Sequence, residues 1–424
     1  MPRLGDDALA GRVLAGLLQR SHLMAPADLA DYLTEAGRPL GISAVRIFLA
    51  DLEQQRLRAM PGGSGRATSP LMIDSTLAGR AFQTVSIQRA VAGARTGECR
   101  LWVPVVDGTE RLGVMEVSLT EESGGEVCAK QPPGGGDGEM VLERCRMLGS
   151  FAGLMIASRS VYSDAYAAIR RSHEMALEAE MVWAFLAPRT FATGRVLLAA
   201  ALEPAYEVGG DAFDHSLLGD RLHVSIFDSV GHDLTAGLIT SVAMAACRTA
   251  RRSGGDLNQI TARADQVIAS QFGASRFATA LLCELDTVTG EFTWIPCGHP
   301  APLLIRDNKV IKELLREPRL PLGLTEMSAG TSSPVYTEQL QPHDRLLLYT
   351  DGVIDGRAAD GREFGLARLS DFVIRHSAEG LPAPETLRRL NRAILDYQQG
   401  CVRDDATVVL LEWLPQQPEA QLTA

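Results

Sequence analysis

Apolar positions change period several times along the first third of the chain. Residues 28–37 carry them at helical spacing, while 43–49 (SAVRIFL) and 55–60 read as strands around a turn. Residues 77–82 predict a short helix. Two more strands, 100–106 and 112–118, flank Asp107-Gly108, a pair suited to a tight hairpin turn. The expected result is a sheet with helices laid on it. The pattern lapses over 121–139, EESGGEVCAKQPPGGGDGE, where Gly, Pro and acidic residues leave little to bury, so a mobile loop is expected.

From 140 to 187 there is no proline. Leu148, Met155, Tyr162, Ile169 and Ala176 recur every seven residues, with Ala152 and Tyr166 as a patchy companion stripe, up to the stop at Pro188. One long helix or two end-to-end helices fit. The stripe is equally suited to a connector that pairs with a second copy as a homodimer seam, or to packing on its own domain. Beyond Pro188 short apolar runs return and continue to residue 414. At 424 residues the chain exceeds what one core usually serves. The expected division is an N-terminal helical segment (1–24), a sheet domain (25–160) with a glycine-rich insertion (121–139), a helical connector (140–187), a second domain (189–414) and a tail (415–424).

Composition narrows the function classes. The formal charge is 41 − 52 = −11, the wrong sign for binding nucleic acid by phosphate neutralisation. The longest uncharged apolar stretch, 234–247, is well short of the roughly 20 residues that span a bilayer. Asp6, Asp7 and Arg12 interrupt any signal-peptide core. The seven cysteines are scattered and form no CxxC, so neither a disulfide framework nor a zinc site is expected, and a cytoplasmic location is the simple reading.

The second half carries the chemistry. Acidic residues stand beside glycine or at the ends of apolar runs four times: Gly209-Gly210-Asp211 with Asp214 following, Asp228 in HVSIFDSVGHD, Asp351 in RLLLYTDG, and Asp404-Asp405 in VRDDATVVLLEW. Taken singly, each has a plainer explanation. Asp351-Gly352 suits a turn, Asp404-Asp405 a solvated loop, and Asp228 a helix cap. Taken together, carboxylates at strand ends point into one mouth and repel one another unless cations neutralise them. All-oxygen ligation suits two Mn²⁺ or Mg²⁺ ions rather than zinc. Such a pair activates water for hydrolysis of a phosphate ester.

Two resemblances follow. VRIFLAD (45–51), DSTLAGRAF (74–82) and LWVPVVDGTERLGVMEV (101–117) resemble a GAF domain over roughly residues 25–160. The resemblance implies a sensor with an unidentified small ligand. GGDAFD, FDSVGHD, PCGHPAPLL, LLLYTDGVID and DDATVVLL, in that order, resemble the SpoIIE-type branch of the metal-dependent protein phosphatases, relatives of protein phosphatase 2C. With the GAF-like region, the chain looks like an actinobacterial GAF–SpoIIE phosphatase. The implied fold class is α+β: a GAF-like sheet domain, a helical connector and an α-β-β-α sandwich. The implied activity is removal of phosphate from serine or threonine of a partner protein, typically an anti-sigma-factor antagonist, by a metal-activated water and under GAF control.

Carried over, the resemblance makes Asp228 the aspartate that bridges both metals and the carbonyl of Ser229 a ligand. Asp211 lies on the first-metal side, and Asp351 and Asp404 hold the second metal. Asp214, His232 and Asp405 would stand behind these ligands. His299 reads as a buried structural imidazole, with proton delivery as the alternative for it and for His232. The chain departs from the pattern at Asp233, where the family has glycine, and at Ser229 and Cys297. No arginine before Asp211 matches the one that grips phosphate in eukaryotic relatives. The alternative reading is a non-catalytic, phosphatase-like docking or sensing protein, for which Asp233 is the main support.

Overall fold

The computed structural model describes residues 4–61, 69–91, 99–127, 137–231, 233–273, 275–324, 334–358, 360–379, 381–398 and 404–414. The chain divides into two compact units, Met1–His173 and Glu174–Ala424.

The first unit runs α1 (Leu4–Ser21), α2 (Leu29–Gly37), β1 (Ile42–Ala50), β2 (Arg56–Ala59), β3 (Leu71–Met72), α3 (Leu77–Thr84), β4 (Gln88–Val91), β5 (Cys99–Asp107), β6 (Glu110–Leu119), α4 (Glu121–Val127), α5 (Asp137–Ser160) and α6 (Asp164–Arg170). Its strands form one antiparallel sheet, ordered β3-β2-β1-β6-β5-β4. β6 is buried along almost its whole length, as expected of a strand covered on both faces. Leu17, Leu29 and Leu33 from α1 and α2 join the side chains of α5 on one face. Ile73, Ala78 and Phe82, at and before α3, meet Phe48 and Val114 on the other. Gly153 lets α5 lie close on β5, because a Cβ there would stand 1.9 Å from the Val106 carbonyl oxygen.

Three expectations change here. The heptad-spaced stretch 140–187 is not one connector. Leu148, Ala152, Met155 and Tyr166 are buried in the first unit's own sheet core, while Tyr162 of the same stripe is exposed. The chain is non-helical over 171–176, and α7 (Leu177–Phe185) buries Ala179 and Val182 in the second unit. Part of the glycine-rich stretch is also helical: α4 buries Val127, and its Gly124 lies against Cys99. Residues 128–136 lie outside the described residues. Finally, Cys99 is disulfide-bonded, where the scattered cysteines led one to expect no disulfide framework.

The second unit continues with β7 (Thr190–Ala192), β8 (Val196–Glu203), β9 (Asp211–Leu218), β10 (Arg221–Ser229), α8 (Leu234–Arg252), α9 (Leu257–Phe272), β11 (Ala278–Asp286), β12 (Glu291–Cys297), β13 (Leu303–Arg306), β14 (Lys309–Glu313), β15 (Tyr336–Gln339), β16 (Arg345–Tyr349), α10 (Asp351–Asp355), α11 (Gly365–Ala378), α12 (Ala383–Tyr397) and β17 (Ala406–Trp413). Two antiparallel sheets result, ordered β15-β12-β11-β10-β9 and β14-β13-β16-β17-β8-β7. Alternation sorts each strand's side chains. Leu198, Ala200, Leu346, Leu348, Val409 and Leu411 enter the core between the sheets. Their neighbours Ala199, Ala201, Leu347, Val408 and Leu410 face α11 and α12 instead. α8 and α9 add Ala243, Met244, Ala264 and Ile268 to the core on the far side of the first sheet. The protein is thus a mixed α+β fold whose second unit is an α-β-β-α sandwich.

Candidate metal centre

The two sheets bring distant aspartates to one end. β10 is an interior strand of one sheet, next to the edge strand β9, and β17 an interior strand of the other. Asp228 near the end of β10 pairs directly with Asp211 at the start of β9. Asp211 is 1% exposed and accepts a 2.7 Å hydrogen bond from Thr350 Oγ1, in the residue that follows β16. The same Thr350 oxygen accepts from Thr407 N at 2.9 Å, which ties β17 to the site. Asp351 is the next residue and opens α10. Asp404 and Asp405 immediately precede β17.

Asp405 has a distinct task. Its Oδ2 accepts from the backbone N–H groups of Gly209, Gly210 and Asp211 at 2.9, 2.7 and 3.2 Å. It clamps the loop that presents Asp211. Gly210 is required there, since a Cβ would stand 2.7 Å from the Ser229 carbonyl oxygen. Ser229 itself is buried, and its hydroxyl donates within this knot, to the carbonyls of Gly210 and Ala236. Thr240 of α8 donates to the Gly210 carbonyl at 2.5 Å, so α8 is fastened to the same loop.

Electrostatics shows that these carboxylates feel one another. Burial first, then Asp351, Asp404 and Asp405, push the Asp228 carboxyl up to about 7. Burial, Asp228 and Asp405 push Asp211 well above the usual carboxylate range, and the hydrogen bond from Thr350 only partly opposes them. Asp351 is raised by burial, Asp404 and Asp355. No three acidic, histidine or cysteine side chains among the described residues are closed tightly enough to hold an ion unaided. The donor set nevertheless fits a hard divalent cation: oxygen ligands only, with Asp211 buried, Asp228 and Asp351 half-buried and these three made costly by their neighbours' charge, while Asp404 is exposed.

Other candidates fall elsewhere. Asp214 is three residues from Asp211 on one strand, so it faces the opposite side of the sheet. There Arg248 grips it at 2.7 and 3.2 Å, and Arg251 at 3.2 Å. It braces α8 and does not stand behind the ligands. His232 lies outside the described residues. His299 is buried, with Nδ1 2.8 Å from Thr279 Oγ1, and that oxygen stands 3.5 Å from Asp228 Oδ2. Burial pushes the imidazole down to about 3. Burial thus favours the neutral imidazole, which suits a positioning role. Asp233 caps α8, its Oδ1 accepting from Ala236 N at 2.9 Å.

Sequence reasoning missed Thr279, Thr350 and Thr240. Each is a hydroxyl within an apolar or small-residue run, and its partner is set by strand register or helix packing.

The polar network behind Asp214 carries a pH prediction. His223 of β10 is buried and pushed down to about 4, by desolvation first and then by Arg251 and Arg221, with Asp214 opposing. Glu284 Oε2 faces its Nε2 at 3.2 Å. The unfolded imidazole takes up its proton near pH 6.5, while the folded one resists until about 4. Stability is therefore full above pH 6.5 and falls as pH drops toward 4. The expected loss is about 2 kcal/mol, after discounting the shift for Glu284. Urea titrations at pH 7 and 4.5 should show it, and His223→Gln should remove most of the slope. An equal slope in the variant would assign the loss to other groups.

The sequence profile of the family described as Stage II sporulation protein E (SpoIIE) matches residues 219–414. Over residues 219–414 the second unit is thus similar to the SpoIIE family. The matched stretch takes in Asp228, Asp351, Asp404 and Asp405 and begins after Asp211. The chain is 30% identical over 159 residues to the phosphoserine phosphatase RsbP of Bacillus subtilis (strain 168), covering 36% of this chain and 38% of that protein. It is 26% identical over 239 residues to protein IcfG of Synechocystis sp., covering 50% and 37%. The match thus spans under two fifths of the length of either relative. A crystal structure of the RsbU and RsbW domains of Rv1364c from Mycobacterium tuberculosis is similar over 53% of this chain and 63% of that one, at 28% identity and a TM-score of 0.45.

Proposed function

We propose that the SpoIIE-like domain hydrolyses phosphoserine or phosphothreonine on a partner protein, of the anti-sigma-factor antagonist type, with two Mn²⁺ or Mg²⁺ ions. The observation that carries this is the buried Asp211 paired directly with the half-buried Asp228: Asp211 is pressed by Asp228 and Asp405, and Asp228 by Asp351, Asp404 and Asp405. The relatives add support: RsbP is named a phosphoserine phosphatase, and the solved neighbours include RsbX with magnesium and PstP with two manganese ions.

Asp228 would serve both ions, with the Ser229 carbonyl and Asp211 on one side and Asp351 and Asp404 on the other. When bound, the ions activate water and neutralise the phosphoryl oxygens. The chain's own work is to hold the donors. Asp405 fixes the Gly209–Asp211 backbone, Thr350 orients Asp211, and Thr279 links Asp228 to the neutral His299. The first unit, with its GAF-like sheet, would serve as the sensor that regulates this site, in a soluble cytoplasmic protein. Among the described residues no helix is long and apolar enough to cross a membrane.

Asp233 lends no weight to a non-catalytic docking role, because helix capping accounts for it. The test is phosphate release from a phosphoserine protein and from p-nitrophenyl phosphate, with Mn²⁺, with Mg²⁺ and with EDTA. Turnover that requires the ion is expected on both. A folded sample inert with either ion would transfer the assignment to docking.

A further inference from the structure

A dianionic phosphate approaching five aspartates meets repulsion that two cations offset only in part, and a guanidinium at the rim would complete the balance. One arginine is placed for it. Arg276 lies in the segment between α9 and β11, two residues before the strand that borders the site. Thr279 pairs with Asp228 and Ala278 with Ser229, and Val230 N donates to the Phe277 carbonyl at 3.2 Å. Arg276 therefore stands beside Gly231, two residues beyond Ser229. Its Nη1 comes within 3.8 Å of where a Cβ on Gly231 would be, van der Waals contact that places the guanidinium beside this residue.

The side chain is 36% exposed, and its Nη2 lies 3.6 Å from Asp233 Oδ2. That is an ion pair beyond hydrogen-bond length. The structural arginines of this unit differ: Arg306 holds Asp344 at 2.6 and 2.7 Å, and Arg248 holds Asp214 at 2.7 Å. Asp233 spends Oδ1 on the α8 cap and offers Arg276 only the loose contact.

We propose that Arg276 grips the phosphoryl group of the substrate, and that Asp233 holds the guanidinium in place until phosphate displaces the pair. This rests on the phosphatase reading and adds to it the source of phosphate recognition that no arginine before Asp211 supplies. It also gives Asp233 a second task at a position where the resemblance leads one to expect glycine. A guanidinium fork meets two phosphate oxygens at once, which an ammonium does not.

The experiment uses the full chain with Mg²⁺ and inorganic phosphate as probe. Calorimetry gives phosphate affinity, and phosphoserine-peptide kinetics give kcat and KM separately. Arg276→Ala is expected to weaken phosphate binding and raise KM roughly ten- to hundredfold, with Mg²⁺ affinity and the thermal midpoint unchanged. Arg276→Lys should recover part of the loss. Asp233→Asn, which keeps a capping oxygen, should tighten phosphate binding severalfold by releasing the guanidinium. Phosphate affinity in Arg276→Ala within twofold of the parent overturns the grip. Unchanged or weaker phosphate binding in Asp233→Asn overturns the holding role. Because binding is read without turnover, an inactive but phosphate-binding parent would count against the phosphatase reading and leave Arg276 to be judged on affinity.

Discussion

Asp228→Asn should lower metal-dependent phosphate release by about 10³-fold or more, about 4 kcal/mol of barrier, and at the same time make the metal-free protein more stable. The two effects share one cause. Asp228 is half-buried, and what presses on it is desolvation and the charges of Asp351, Asp404 and Asp405. Nothing in the core depends on its charge, and its one hydrogen bond, from Thr279, is long at 3.5 Å. With an ion bound, the carboxylate is the most shared ligand of the proposed pair. Without one, it is a charge held among like charges. At the effective dielectric of a partly buried site, removing it relieves about 1–2 kcal/mol of repulsion. Thermal unfolding in EDTA should therefore show a higher midpoint for the variant, and adding Mn²⁺ should raise the parent's midpoint but not the variant's. A variant less stable in EDTA would mean that Asp228 serves the fold. A variant with parental turnover would remove it from the site.

Much of this site was legible in the sequence because its logic is local. A carboxylate at the end of an apolar strand beside glycine is visible without coordinates, and Asp228, Asp351 and Asp404 are brought together by two facing sheets whose strands the apolar runs announced. Asp214 shows where such reading needs one more step. Asp214 is expected behind the ligands, yet it is three positions from Asp211 within β9, so the two lie on opposite faces. The clue was present, but only strand assignment makes it usable. The stretch 140–187 shows a harder limit. A seven-residue apolar repeat states that one face is buried but not what buries it, and here the first unit's own sheet does so. α4 was hidden by composition: Gly124, which reads as loop, packs tightly beside Cys99 in a helix. Thr279 and Arg276 were illegible for a different reason. Thr279 pairs with Asp228 across about fifty residues of chain, and Arg276 is brought to the site by the same pairing, two residues before the strand.

Asp405→Ala should be the most destructive single change to the scaffold of the site, costing about 3 kcal/mol or more of unfolding free energy. One oxygen of Asp405 accepts three backbone N–H groups, at Gly209, Gly210 and Asp211, in a position only 4% exposed. Alanine leaves all three donors buried without that acceptor, and each unsatisfied group costs about 1–3 kcal/mol. Relief of repulsion against Asp211 and Asp228 offsets about 1 kcal/mol of this, too little to reverse the sign. Asp405→Asn separates geometry from charge. Its amide oxygen can still accept, so it should lose only about 1 kcal/mol while keeping Asp211 in place. Urea denaturation in EDTA measures the stability, and calorimetry with Mg²⁺ measures the ion affinity. If Asp405 is a clamp, the alanine variant loses both and the asparagine variant keeps most of both. An asparagine variant of parental stability that no longer binds the ion would make Asp405 a ligand instead, and the backbone it now holds would need another anchor.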